Sequence, residues 1–286
     1  MPSLRDLVAE ELSQSVDPRV SSMAEAIAVK HGAASRAVLF YGSCLRQKQL
    51  DGLMLDFYLI VSEYRAAYGK AWLSVANRLI PPNVFYLEHE GLAAKYAVLS
   101  EADFNRLNGP ETSSVSVWAR FAQPSRLVWA RDRAAAERAT DAVARAAPTL
   151  IAAAGLRAGE LSLDLWRRAF ALTYSAELRA ERKGRASSVV DLEPQRYERF
   201  SDPAFEAARA LRPVGTWAVR RIEGKALSVL RLAKASFTFA GGADYIAWKI
   251  NRHAGTKIEL KPWQRRHPLL AALTLLPRLL SSGAVR

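Results

Sequence analysis

The run Val38-Leu-Phe-Tyr-Gly-Ser43, followed by Leu53-Met-Leu-Asp56-Phe-Tyr-Leu-Ile-Val61, decides how this sequence is read. An apolar stretch ends at Gly42, a residue without Cβ that lets a following backbone come close to a phosphate. Ser43 stands where a short helix would start, so its hydroxyl and the backbone N–H groups behind it suit a triphosphate tail. Asp56 then opens a run with the length and composition of a buried strand. A carboxylate in that position is costly unless it binds a cation or finds donors.

Gly-Ser at the end of one strand and an acid on the next is the skeleton of a nucleotidyltransferase site, in which the acid holds Mg²⁺ against the phosphates. The same residues also fit a plain glycine turn between two core strands, with Asp56 acting as a cap.

The 286 residues are enough for two modest domains, and half of them are hydrophobic, so a sizeable core is available. A net charge of +13 and a pI near 10 call for an anionic partner: nucleic acid, anionic lipid or a polyanionic substrate. The single cysteine, Cys44, excludes an intramolecular disulfide framework and a cysteine-based metal cluster. Met1 to Val16 contains Asp6, Glu10 and Glu11 and no signal-like apolar core, so neither a signal nor a transit peptide is expected. No segment has the eighteen or so apolar residues that span a bilayer. The expected location is cytoplasmic, peripherally associated with the inner membrane.

Residues 3–31 carry apolar positions at helical spacing, broken at Asp17-Pro18, and predict two helices leading into the first strand. Tyr64 to Ile80 predicts one helix with Tyr68, Trp72, Val75, Ala76 and Leu79 on a single stripe, stopped by Pro81-Pro82. Asn83 to Glu88 and Ala93 to Leu99 predict two strands joined by a turn at His89-Glu-Gly91. Lys95 within the second strand fits an edge lysine facing water or a cation beside phosphates. Glu88 and Glu90 fit solvent-facing turn acids or a further metal ligand.

Ser100-Glu-Ala-Asp103 has the pattern of a capping box, 107–116 that of a loop, and the alanine-rich Arg131 to Gly155 that of a helical connector. Beyond it the chain is helical, with Glu177 and Arg179 spaced either as a surface pair or as site residues, and a glycine-hinged turn at Gly241-Gly242. Arg265-Arg-His267 precedes the apolar Pro268 to Leu280, which fits an interfacial anchor or a terminal helix packed on the core.

With these pieces in place, the chain resembles the mitochondrial-type CDP-diacylglycerol synthases, the phosphatidate cytidylyltransferases also described as translocator assembly and maintenance proteins. The likeness runs from about residue 38 to 250 and has the character of a bacterial homologue. Tyr41-Gly-Ser43, Gln47 and Leu55-Asp56-Phe57 resemble the family's opening motif; Lys95-Tyr-Ala97-Val resembles its Lys-Tyr-Gly-Val segment. Trp118 with Arg126-Leu127 resembles its tryptophan and later Arg-Leu, and Tyr174-Ser-Ala176-Glu177-Leu178-Arg179 its Tyr-Ser-Gly-Asp-aromatic-Arg run. Lys234-Ala235-Ser-Phe-Thr238 is similar to its Lys-Gly-x-x-Thr segment, with one extra residue before Ala240-Gly241. Departures are Ala for Gly at 97, 176 and 235, Glu for Asp at 177, and Met54 where the wider superfamily carries a second acid.

The resemblance implies an α+β protein: a nucleotidyltransferase-fold domain over 1–140, with a mixed sheet flanked by helices, a mainly helical domain over 141–262, and a C-terminal amphipathic, membrane-associating segment over 263–286. It implies an enzyme making CDP-diacylglycerol and pyrophosphate from CTP and phosphatidate with Mg²⁺. In that scheme Gly42, Ser43 and Gln47 hold the CTP phosphates and Asp56 binds the metal, with Asp51, Glu88 and Glu90 as further candidates for its shell. Lys95, Arg126, Glu177, Arg179 and Lys234 serve the reaction, and an anionic membrane is met through the basic surface and the C-terminal helix. No nucleic acid is expected, because no aromatic and basic interleaving of a nucleic-acid module is present. The alternatives are a nucleotidyltransferase with another acceptor, such as RNA or a different lipid phosphate, and a non-catalytic membrane-associated protein.

Overall fold

The computed structural model describes residues 2–47, 49–178 and 189–238, together with 259, 261 and 262. Arg179, the Gly241-Gly242 turn and the 263–286 segment lie outside the described residues.

Two helices open the chain. In α1 (Leu4–Leu12) Ser3 and Asp6 cap each other reciprocally, and in α2 (Pro18–His31) Asp17 caps the first turn with Pro18 just inside it. The strands follow: β1 (Ser35–Tyr41), β2 (Met54–Val61), β3 (Asn83–His89), β4 (Leu92–Ser100) and β5 (Ser125–Ala130). They form one mixed sheet in the order β3-β4-β2-β1-β5. Its β2/β4 pair is parallel and the other three are antiparallel. The parallel pair follows from the connection, since the chain leaves β2 through α3 (Tyr64–Ala67) and α4 (Ala71–Leu79) and returns along β3. The β3–β4 turn sits at Glu90 and Gly91, both with positive φ, as a two-residue hairpin requires.

Strand alternation sorts the sheet into two faces. Val38, Phe40, Leu55, Phe57, Leu59, Tyr96 and Val98 bury against α2 through Met23 and Ile27. Leu39, Tyr58, Ile60, Ala97 and Leu99 face the other way, into a larger cluster. That cluster takes in α1, α5 (Glu101–Asn108), α6 (Trp118–Phe121), α7 (Arg133–Ala144) and α8 (Ala146–Ala154). It extends to α9 (Ser162–Ala176) and α10 (Pro194–Arg209), while α11 (Trp217–Thr238) packs on α9 and β3.

Three local expectations change. The alanine-rich stretch is not a connector: Ala139, Ala142, Val143, Ala146, Leu150 and Ile151 are buried in the same cluster as Leu39 and Tyr58, so the core runs unbroken across residue 140. Small side chains there let α7 and α8 come close to their neighbours, a packing role that composition alone does not distinguish from helix propensity. The single helix over 64–80 is two helices parted near Gly69, and only Tyr68 of the expected stripe is buried. Ser100 caps α5 as expected, but the Asp103 carboxylate turns away to accept from Tyr64 at 2.5 Å.

Among the described residues no helix is long and apolar enough to cross a membrane.

Candidate functional site

Strand register builds the site. Tyr41 at the end of β1 lies opposite Asp56 on β2, and Asp56 lies opposite Lys95 on β4. Ser125 extends this row on β5 and Tyr86 on β3. Residues directly opposed in a sheet point to one face, so five strands present Ser125, Tyr41, Asp56, Lys95 and Tyr86 as a transverse line on the face covered by the helical cluster. Lys95 Nζ lies 2.9 Å from Asp56 Oδ1, and both side chains remain partly open to solvent. The partly buried acid of β2 thus has its cation on the neighbouring strand, which answers why a carboxylate is tolerated there.

Gly42 follows Tyr41 with φ 92° and ψ −166°, a conformation open almost only to glycine. A Cβ at this position would stand 3.4 Å from Asp56 Oδ2, so the glycine keeps that side of the carboxylate clear. The expected helix after it is a four-residue 3₁₀ turn, Ser43–Arg46, with no side-chain cap. Such a turn has too few aligned peptides to act as a helix dipole. Ser43 and Gln47 are exposed on it, and Arg46 ties it to Glu193, the residue capping α10, at 3.2 Å.

A second charged group completes the neighbourhood. Glu177, at the end of α9, is buried and lies 3.5 Å from Arg120 of α6 and 4.0 Å from Arg231 of α11. Burial opposes the charge of Arg120, yet its pKa is raised, with Glu177 the leading cause. The Tyr41 phenol is held well above its ordinary value by burial and by Asp56, so it stays a neutral hydroxyl. Burial lowers Arg231, with Glu177 opposing that effect.

One helical turn beyond Arg231, Lys234 reaches the carbonyls of Ile80 and Pro82, the latter at 2.9 Å, while Arg231 donates to the Pro81 carbonyl at 2.7 Å. Burial, aided by Arg231, brings the Lys234 ammonium down to about 7. Asp56 and Lys95 on the sheet share Tyr41 and Tyr58 as neighbours with Arg120, Glu177 and Arg231 of the helices, a cation-rich grouping suited to an anion, and Lys234 stands one turn beyond it.

Arg126 is not part of it. It pairs with Phe40 rather than Tyr41 and lines a cavity of about 270 Å³ between α1 and α10, where Glu11 and Glu193 are the carboxylates acting on it. The other acids do not converge on Asp56 either. Asp51 pairs with Arg19 at 3.1 Å, Glu88 accepts from Tyr86, and Glu90 sits in the hairpin turn 3.7 Å from His89. Among the described residues no group of three or more His, Cys, Asp or Glu side chains is placed to hold a metal ion. The donor set fits a Mg²⁺ bound through one carboxylate and the oxygens of a phosphate substrate, and not an all-protein cage.

Arg120, Arg231, Tyr41 and Tyr58 are the members that sequence reading passed over. Arg231 had a signal, since it precedes Lys234 by three residues on one helix and therefore shares its face. Arg120 had none, because only packing brings α6 to the end of α9.

No protein-family model matches this chain, and no curated protein matches it.

Proposed function

We propose that the protein is a nucleotidyltransferase-fold phosphatidate cytidylyltransferase, forming CDP-diacylglycerol and pyrophosphate from CTP and phosphatidate at a membrane surface. The observation that carries this reading is the Asp56–Lys95 pair facing the glycine that follows β1, on a sheet face whose Tyr41 and Tyr58 also meet Arg120 and Arg231.

The chemistry suits these side chains. The attacking atom is a phosphate oxygen of phosphatidate, already ionised at neutral pH, so the protein need not remove a proton from it. It bonds to the α-phosphorus of CTP while the bond from that phosphorus to the β-phosphate's bridging oxygen breaks, and pyrophosphate leaves. The protein's task is alignment and charge neutralisation. Gly42 and Ser43 lie against the β and γ phosphates, with exposed Gln47 at the far end of the same turn. Asp56 would hold a Mg²⁺, which would supply charge compensation at the phosphates. Lys95 balances Asp56 before substrate binds and the phosphates afterwards. Arg120 and Arg231, fixed by Glu177, and Lys234 present positive charge from the helical side to the phosphate of the lipid.

A labelled-CTP assay with Mg²⁺ tests the reading, with phosphatidate vesicles as acceptor beside RNA and lipid-free controls. Label in CDP-diacylglycerol only when phosphatidate is present is the expected result. Label in RNA, or no product from any acceptor, overturns it.

A further inference from the structure

Helix α4 is built inside out. Its buried side carries Ser74 and Asn77, while Trp72, Val75 and Leu79 are 47%, 57% and 73% exposed. At about 100° per residue those three fall on one narrow arc, roughly opposite Asn77. The polar side is inward for a reason. Asn77 donates to the Val98 carbonyl at 2.9 Å and accepts from the Asn83 backbone, tying the helix to β3 and β4. The polar side of this amphipathic helix is thus spent on the sheet, and its apolar side is left to the outside.

Charge along α3 and α4 themselves is of one sign, with Glu63 standing just ahead of them. From Tyr64 to Ile80 the chain has Arg65, Lys70 and Arg78, all exposed, and no acid. An apolar stripe led by a tryptophan, on a stretch whose own charges are the exposed Arg65, Lys70 and Arg78, matches the boundary of an anionic bilayer, where apolar burial and attraction to headgroups add. A protein surface of matching chemistry would need acidic residues around an apolar groove; a bilayer needs only anionic lipid.

We infer that α4 is a membrane-docking element, seating Trp72, Val75 and Leu79 in the headgroup region of an anionic lipid surface. Its C-terminal end is held by Arg231 and Lys234 through the carbonyls of Ile80, Pro81 and Pro82. Docking through α4 therefore fixes the helix that carries those two cations relative to the bilayer. The inference stands on α4 and does not depend on which reaction the Asp56 site performs.

The test is co-sedimentation of the full chain with phosphatidylcholine vesicles, with and without phosphatidylglycerol, in the absence of nucleotide and of phosphatidate. The variants are a Trp72→Ser, Val75→Ser, Leu79→Ser triple and a Lys70→Glu, Arg78→Glu double. Expected are binding that requires phosphatidylglycerol, a loss of about tenfold or more in the triple variant with its melting temperature unchanged, and a weaker, salt-sensitive loss in the double. Unchanged vesicle binding in the triple variant overturns the inference. So does a lowered melting temperature with binding retained, which would mean that the stripe is covered by the protein itself. A lipid-free dimer that the triple variant dissolves would likewise overturn it, assigning the stripe to a second copy.

Discussion

Asp56 and Lys95 stand at matched positions on parallel neighbouring strands, with Lys95 Nζ 2.9 Å from Asp56 Oδ1. Ion pairs that keep contact with solvent, as this one does, contribute about 1 kcal/mol to stability. The Asp56→Asn variant is therefore expected to fold with a melting temperature near that of the parent. Under the proposed function, cytidylyl transfer should fall by about a hundredfold or more, the scale at which a lost charge-stabilising contact is felt. Activity within a few-fold of the parent would remove Asp56 from the mechanism.

Gly42 holds a backbone conformation that other residues reach only under strain of about 1–3 kcal/mol. The Gly42→Ala variant should lose that much stability in a denaturant titration. It should also bind CTP more weakly, because its Cβ closes the side of Asp56 that the glycine leaves open. Full stability and unchanged CTP affinity would show that the turn is free to rearrange.

Gly224 on α11 lies against the carbonyl oxygen of Ala176, where an added Cβ would overlap the backbone at the end of α9. A Gly224→Ala variant must separate the two helices just where Arg231 and Glu177 face each other. Overpacking of this kind costs about 1–3 kcal/mol, so the melting temperature should drop. Calorimetry of the single variant checks this, and an unchanged melting temperature would mean that α11 slides freely on α9.

Removing Arg120 takes a cation 3.5 Å away from the buried Glu177 and leaves Arg231 at 4.0 Å. Breaking a buried pair from one side costs about 3–5 kcal/mol, so Arg120→Met should be strongly destabilised. The double variant Arg120→Met, Glu177→Gln should recover part of the loss, because the buried carboxylate is neutralised with its partner, while Arg231 loses its carboxylate at 4.0 Å. A double variant no more stable than the single would show that Arg120 acts by packing alone.

Lys234 gives a pH signature. Its folded-state value is near 7 against an ordinary 10.5, so between these values the unfolded chain binds the proton and the native protein does not. Stability contributed by this group therefore rises with pH across that window and is flat below it. Urea titrations from pH 7 to 10 should show a smaller rise for Lys234→Met than for the parent. Identical slopes would mean that the ammonium stays charged against its carbonyl partners.

The apolar run into Gly42, the Asp17-Pro18 break and the positive-φ hairpin at Glu90-Gly91 were legible because each is a local rule written in a few adjacent residues. Asp56 was legible because a carboxylate opening an apolar strand has to be compensated by something. Arg126 shows the limit, since spacing in a strand gives a side chain's parity but not which cavity the strand edge will line. Helix α4 shows another: its stripe has the helical period, and no local rule says whether that stripe turns inward or outward.

By itself, the sequence determined the first four strands, the two opening helices, the Ser100 cap and the one acid that had to be neutralised, because these depend on contacts within a turn or two of chain, whereas the fifth strand, Ser125–Ala130, was not legible in it. Only the tertiary structure decided that Lys95 neutralises Asp56, that Arg120 and Arg231 converge on Glu177, and that α4 spends its polar side on the sheet. Those outcomes depend on strand register and helix packing between residues far apart in the chain, where the deciding energies belong to pairs and not to any single residue.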